Sequence, residues 1–302
     1  MTKRRSMSEA ITECVSDGDS VALGLALEQM IPFAAGHEII RQGKRDLTLI
    51  GPISDILFDQ MIAAGCVRHV IAAWVGNVMM GSAYNFRRGV ESGSMQVTNM
   101  TNFTVALALQ AAAMGVPFLP TWSAMGSDVA RDNPFFQEIE SPFTPHEKLH
   151  AIKALVPDVA IVHVQRADEN GNAHCWGNLG VMIEGARGAK KVIVVAEEIV
   201  SPEVINSDPN RTVIPGLLVS AVVECTMGAH PSPVQGYYSR DNAYYHHYHE
   251  QTKTAADSQK WLDRHVYGVK GRAGYLTQLG ECRLAELRVK QHAYAAATDY
   301  GY

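Results

Sequence analysis

Apolar residues recur at helical spacing near the start of the chain, at Met7, Ala10, Ile11, Cys14 and Val15, with Ser6 and Glu9 placed as a capping box just ahead. A helix therefore opens the fold. The Asp17-Gly18-Asp19 turn leads into the apolar run Val21-Ala22-Leu23-Gly24, and Ile39 and Ile40 mark a second helix between Pro32 and Gly43. Leu47 to Ile50 reads as a strand ended by Gly51-Pro52. Ser54 then caps a stripe of Leu57, Phe58, Met61 and Ile62 that stops at Gly65, and Val67 to Trp74 is the next strand. The same alternation predicts a helix from about Thr101 to Met114, strands at Val116 to Leu119 and Val159 to Val162, and a helix from about Gly180 to Gly188. Strands at Lys191 to Val195 and Leu217 to Val223 follow.

Strands that are apolar on both faces and alternate with helices predict an α/β fold, an open, mostly parallel twisted sheet with helices on both faces. Beyond Ala229 the sequence becomes polar and aromatic-rich, with Trp261, Leu262 and Tyr267, then Leu284, Leu287 and Val289. Residues 1–228 are thus read as the α/β domain. Residues 229–302 are read as a C-terminal helical extension packed on the same domain or on a partner. No internal repeat or low-complexity stretch interrupts the chain.

Composition narrows the partners. The 302 residues carry 26 Lys and Arg against 31 Asp and Glu, a net charge of −5, and 47% are hydrophobic, enough for a substantial core. Without clustered basic blocks, neither a nucleic-acid nor an anionic-membrane surface is expected. Lys3-Arg4-Arg5 stands alone and reads as a solvated tail. No stretch reaches the roughly 18 uninterrupted apolar residues of a membrane span; Val105 to Leu119 comes nearest and is broken by Gln110 and Gly115. Ser6, Ser8, Glu9 and Thr12 interrupt any secretory h-region. Cys14, Cys66, Cys175, Cys225 and Cys282 are widely spread with no C-x-x-C pair, so a cytoplasmic protein with reduced thiols and no metal site is the simplest account.

In open parallel sheets, ligands sit beyond the carboxyl ends of strands. Four loops there carry candidate chemistry: Gly24 to Leu27, Gly51 to Ser54, Gly76 to Ser82, and Ala124 to Asp128. None fits G-x-G-x-x-G or G-x-x-x-x-G-K-[ST], which removes a Rossmann dinucleotide site and a P-loop. Asp168-Glu169-Asn170-Gly171-Asn172 has turn chemistry throughout and reads as a link between two strands. Glu197 and Glu198 read as a solvated helix start. His246 and His249 share a helix face with no Asp or Cys partner evident nearby and read as surface or interface residues. His163 reads as a hydrogen-bonded core histidine, and His230 as the residue that orders the Gly228 to Ser232 turn.

The segments Gly18 to Gly24, Ile40-Arg41-Gln42-Gly43, Asp46-Leu47-Thr48, Pro117 to Pro120, Ala167 to Asn172 and Gly228 to Ser232 with Gly236-Tyr237-Tyr238 occur in a combined order and spacing that is hard to obtain by chance. From about Met7 to Lys290 the chain resembles the A (alpha) subunit of family I CoA-transferases, within them the glutaconate type. That resemblance implies a ping-pong reaction in which a glutamate attacks an acyl-CoA and passes through an anhydride to a glutamyl-CoA thioester. It implies that the glutamate belongs to the B (beta) subunit, with no catalytic residue in this chain. A hetero-oligomer of A and B chains is therefore expected, with acyl-CoA and a carboxylic acid as substrates and no tightly bound cofactor.

The A half would contribute donors around the acyl group, with Gly24, Gly51, Gly76, Asn77, Gly126 and Ser127 as the candidate substrate- or oxyanion-binding residues. Glu169 lies in a stretch like the nucleophile motif of the B half, but Ala167 to Asn172 fits the A-half turn residue for residue. Two departures bear on the substrate. Gly51-Pro52-Ile53-Ser54 replaces a glycine-rich loop, and Val78-Met79-Met80 replaces polar residues, which favours an apolar or bulkier acyl group over a short dicarboxylate. Relatives that hydrolyse cyclic acyl-CoAs in steroid-ring degradation have acids ahead of the helix that here begins near Thr101. This chain has Asn99 and Asn102, and an amide cannot act as a general base. Membership of such a hydrolase is the alternative reading, and a non-catalytic stabilising role is a further one.

Overall fold

The structure is a computed structural model and describes residues 2–81 and 83–290; Ser82 of the Gly76 loop and residues 291–302 of the C-terminal extension lie outside the described residues. In chain order the strands are β1 (Ser20–Ala22), β2 (Leu47–Ser54), β3 (Val67–Val75), β4 (Gln96–Asn99), β5 (Phe118–Thr121) and β6 (Phe136–Glu140). They continue with β7 (Lys148–Lys153), β8 (Val159–Ala167), β9 (Ala173–His174), β10 (Lys191–Ile199), β11 (Thr212–Ile214) and β12 (Ala221–Glu224). The helices are α1 (Met7–Cys14), α2 (Phe33–Arg41), α3 (Ile56–Ala63), α4 (Tyr84–Glu91), α5 (Asn102–Met114) and α6 (Met182–Gly188). After α7 (Pro202–Asn206) come α8 (Asn242–Gln251), α9 (Ala255–Leu262), α10 (Gly271–Leu279) and α11 (Glu281–Leu287).

Seven strands pair in parallel in the order β12-β10-β8-β1-β2-β3-β4, and β9 and β11 add antiparallel to the end of β8. The expected α/β architecture is therefore present. Alternate residues along each strand feed two cores. Val21, Leu49, Val70 and Ile161 pack on the α1, α2 and α3 side, while Ala22, Ile50, Ile71 and Ala160 pack on the α5 and α6 side. The Ser6–Glu9 capping box opens α1 as its spacing predicts. Gly65 and Gly115 follow α3 and α5.

Several local expectations are corrected. β2 does not stop at Gly51-Pro52 but runs to Ser54, because Pro52 falls between the laddered residues Gly51 and Ile53 and interrupts no required pairing. The cap of α3 is then Asp55, whose Oδ1 accepts from Ile56 N at 2.6 Å, in place of Ser54. The strand expected at Val116 to Leu119 is β5, two residues later, and it leaves the parallel sheet. It joins β7 and β6 in a separate antiparallel three-stranded sheet. The edge of the parallel sheet is instead β4, whose sequence Gln96-Val97-Thr98-Asn99 has no apolar run to announce it. Lys3-Arg4-Arg5 is no free tail: Arg5 N donates to Val222 O at 2.8 Å and Lys3 Nζ to Gly216 O at 2.5 Å, so the segment covers the open edge of β12.

The C-terminal helices share the first core. Tyr244, Tyr245, Tyr248, Trp261, Leu262, Val266 and Tyr275 are buried in one cluster with residues of α1, α2 and α3. Trp261 stands edge-on to Tyr244 and Tyr248, each at 5.2 Å between ring centroids. Trp261→Ala is expected to lower stability by about 3–5 kcal/mol, as large aromatic truncations in cores do. A single shifted urea transition, with no separate early loss of the extension, is the expected result.

Candidate functional site

Strand order reverses at the middle of the sheet: β1-β2-β3-β4 extend one way and β8-β10-β12 the other. A crevice opens at such a point, beyond the carboxyl ends of the strands. To one side of it, at the ends of β1 to β4, a cavity of about 570 Å³ is lined by Glu28 after β1, Ile53 of β2, Ala73 and Trp74 of β3, Val78 after β3, and Met100, Thr101 and Asn102 entering α5. Thr101 caps that helix by accepting from Thr104 N. The first N–H groups of a helix have no intrahelical acceptor and carry the positive end of its dipole, so this wall can stabilise developing negative charge.

Gly24 turns the chain out of β1 with φ of +69°, a left-handed conformation natural to glycine, and the buried segment that follows brings Glu28 to the cavity. Gly51 lies within β2 at a close approach, where a Cβ would come within 3.0 Å of the Leu23 carbonyl. Gly76 serves its neighbour: a Cβ there would overlap the Trp74 ring and the Gly81 carbonyl, so the missing side chain is what seats the indole against the loop. Asn77 is buried. Its Oδ1 accepts from Met79 N and Met80 N at 3.0 and 3.1 Å, and its Nδ2 donates to Tyr245 O at 2.9 Å. Its side chain fastens the loop to α8. Of Val78-Met79-Met80, Val78 lines the cavity, whereas Met79 turns back to accept from Arg240 at 3.1 Å.

Gly126 and Ser127 sit apart from the other four, because β5 left the parallel sheet. They line a cleft of about 340 Å³ with Arg131, Glu138 and His150. An intermediate compartment of about 480 Å³ shares Ala73 and Met100 with the main cavity, and Asp128 and Arg131 with the cleft. The three adjoin as one trench. Ser127 Oγ accepts from Val129 N at 3.3 Å.

Behind the main cavity lies a buried polar group. Glu28 is held by Arg240 at 3.0 Å, and the Arg240 side chain has no exposed surface. Its guanidinium also donates to Asn242 Oδ1 at 2.8 Å and lies over the Tyr245 ring. Tyr245 Oη donates in turn to Asp55 Oδ2 at 2.6 Å. Burial pushes the Asp55 carboxyl up to about 7, against the lowering effects of Tyr245, Ile56 N and Arg240. Glu28, Trp74, Met100, Thr101 and Arg240 were not legible as site residues. For Glu28 a signal existed, a lone acid in the apolar stretch from Val21 to Phe33.

Other singled-out residues serve the fold. Asp168 Oδ1 accepts from Asn170 N and Asn172 N, each at 2.9 Å, closing the link between β8 and β9 as its turn chemistry predicts, and Glu169 points to solvent. Glu197 and Glu198 do not start a helix but lie in β10. Glu197 is buried, accepting from Tyr238 Oη at 2.6 Å and Met227 N at 2.6 Å beside His163 at 2.7 Å, and Glu198 pairs with Arg166. An apolar sheet would not bury that acid without these partners. His230 is held between Tyr275 Oη and Asp241 at 2.8 and 2.9 Å. His249 contacts Tyr84 Oη at 3.1 Å.

The Asp55 carboxyl makes stability fall as pH rises. From about pH 4 to pH 7 the unfolded chain, with the ordinary value of 3.8, has lost a proton that the folded chain keeps. Ionisation therefore favours unfolding, by up to about 4 kcal/mol above pH 7. Asp55→Asn is expected to flatten this slope in denaturation midpoints measured from pH 4 to 8. An unchanged slope would place the titration elsewhere.

Comparison with known proteins agrees with this geometry. The family model for coenzyme A transferase matches residues 4–225. The chain is 37% identical over 284 residues to the A subunit of 3-oxoadipate CoA-transferase from Pseudomonas knackmussii, covering 93% of this chain and 99% of that protein. It is 34% identical over 305 residues to the A subunit of glutaconate CoA-transferase from Acidaminococcus fermentans, covering 96% and 95%. The crystal structure of glutaconate coenzyme A-transferase from Acidaminococcus fermentans superposes with a TM-score of 0.92 over 95% of this chain and 96% of that one. By sequence across nearly its whole length, and by the arrangement of its sheet, the chain belongs to the coenzyme A transferase family.

Proposed function

We propose that this chain is the A half of a two-subunit CoA-transferase, moving CoA between an acyl-CoA and a carboxylic acid with a nucleophilic glutamate supplied by a B subunit. One observation carries this. The strand-end cavity has shape and a polarising helix terminus, yet its one carboxylate among the described residues, Glu28, is engaged by the buried Arg240. A group held in an ion pair is a poor nucleophile, so the cavity needs one from outside. The names of the two relatives, both given as A subunits, support the same division of labour.

In this scheme the partner's carboxylate attacks the thioester carbonyl, forming a C–O bond and expelling CoA thiolate to leave an acyl-glutamyl anhydride. The thiolate attacks the glutamyl carbonyl, releasing the acyl carboxylate and leaving glutamyl-CoA, and the acceptor acid reverses both steps. The carbonyl oxygen gains charge in each attack. In this reading the terminus of α5 at Thr101 and Asn102, which lines the cavity, receives it, where one such donor is worth about 3 kcal/mol; Gly24, Gly51 and Gly76 do not line the cavity and act by shaping the buried backbone behind it. Asn77 acts by fixing its loop, and Gly126 and Ser127 line the far end of the trench along which the thioester would extend. CoA enters as a substrate, with no tightly bound cofactor. Residues 1–228 form the transferase domain and 229–302 its helical extension. All five cysteines are free thiols, which supports a cytoplasmic setting.

The test is reconstitution of this chain with its B partner. CoA transfer is expected only from the pair, and borohydride or hydroxylamine trapping during turnover is expected to modify a glutamate of the partner. Full activity of this chain alone, or a trapped residue within it, would overturn the division. Free acid without transfer would favour the hydrolase reading. Ser127→Leu is expected to lower turnover at least about tenfold with assembly intact, read by size-exclusion chromatography.

A further inference from the structure

The cavity at the ends of β1 to β4 is uneven in charge. Ile53, Trp74, Val78 and Met100 give the wall an apolar side about equal in extent to its polar one, and Glu28 is its one charged side chain among the described residues. No Lys, Arg or His belongs to that lining among the described residues. Arg240 stands behind Glu28 and cannot substitute for one. It has no exposed side-chain surface, and its guanidinium is engaged by Glu28, Asn242, the Met79 sulfur and the Tyr245 ring. The adjoining compartment tilts the same way, with Asp128 and Asp132 against Arg131, which Asp128 already binds at 2.6 Å.

We propose that the site selects acyl groups whose far end is uncharged and apolar, and that Glu28 discriminates against acyl chains ending in a second carboxylate. The inference rests on the CoA-transfer reading and adds the substrate class. A CoA monothioester of a dicarboxylic acid would bring its free carboxylate toward the Glu28 carboxylate inside a partly desolvated wall, to which the described residues of this chain contribute no Lys, Arg or His. A neutral chain of equal length meets methionine, indole and branched aliphatic side chains, and gains by burial. Glu28 is a specificity-determining residue here; it takes no part in the bond-making steps.

The experiment uses the assembled complex and two donors with matched five-carbon acyl chains, pentanoyl-CoA and glutaryl-CoA, with acetate as acceptor. kcat/KM is expected to favour pentanoyl-CoA at least about tenfold, the scale on which a carboxylate facing the cavity, even one paired from behind by Arg240, discriminates against a second carboxylate. Glu28→Gln is expected to narrow the ratio at least threefold by gaining on glutaryl-CoA, while Glu28→Asp keeps the ratio. Equal use of both donors, preference for glutaryl-CoA, or a ratio unmoved by Glu28→Gln would overturn the proposal. If Glu28→Gln fails to assemble, the wild-type ratio alone decides. Dissociation constants of the two thioesters, measured by calorimetry on the same complex, separate the two levels. Absence of turnover with both donors sinks the transfer reading, and the affinity ratio still judges the preference.

Discussion

The hydrogen bond from Tyr245 Oη to Asp55 Oδ2, at 2.6 Å, is the fastening on which the arrangement of the site depends. Asp55 ends β2 and caps α3, and Tyr245 lies on α8, 190 residues away. Both are buried, so neither group can exchange its partner for water, and loss of one would strand the other. From this point the polar group extends to the surface of the cavity. Tyr245 also supplies the carbonyl that anchors Asn77, its ring lies under Arg240, and Arg240 holds Glu28. A C-terminal helix thus supports three strand-end loops from behind, on the side away from the cavity.

That support gives loops with much backbone at the edge of the cavity a fixed anchor each. Leaving β1, β2 and β3, each loop is fixed by a contact with a buried side chain: the carbonyl of Glu28 accepts from Ser232 Oγ at 3.0 Å, Asp55 caps α3, and Asn77 closes its own turn. The N-terminus of α5 then completes the wall from the other face of the sheet. A polarising wall acts without reorganisation cost only if held in this way, and here the same side chains that hold it also set its charge.

Much of the fold was legible because it is written in local periodicity. α1 with its capping box, α2, α3, α5, β3, β8 and β10 sit where apolar spacing and glycine stops place them, and the Asp168 turn is closed by the side chain its composition implies. The family resemblance rested on such segments, and its expectation of an α/β layered fold holds. β4 escaped because an edge strand covered on few sides carries no apolar run. β5 was found as a strand and assigned to the wrong sheet, since a four-residue run says that it is extended but not which neighbour it will meet. Glu197 was read as a solvated acid because its partners Tyr238, Met227 and His163 lie 30 to 41 residues away.

By itself the sequence determined the class of the protein and the order of most of its elements, which depend on spacing between near neighbours. It also marked Gly24, Gly51 and Gly76 as candidate positions. Only the tertiary structure decided that Gly24 serves by its left-handed backbone and what Gly51 and Gly76 make room for, that Asn77 spends its amide inside the fold, that Gly126 and Ser127 belong to a neighbouring cleft, and that Glu28, backed by Arg240, is the charged side chain of the cavity lining. Such contacts join residues up to 212 positions apart. No local pattern encodes them, because strand order and helix docking bring the partners together only after the chain has closed on itself.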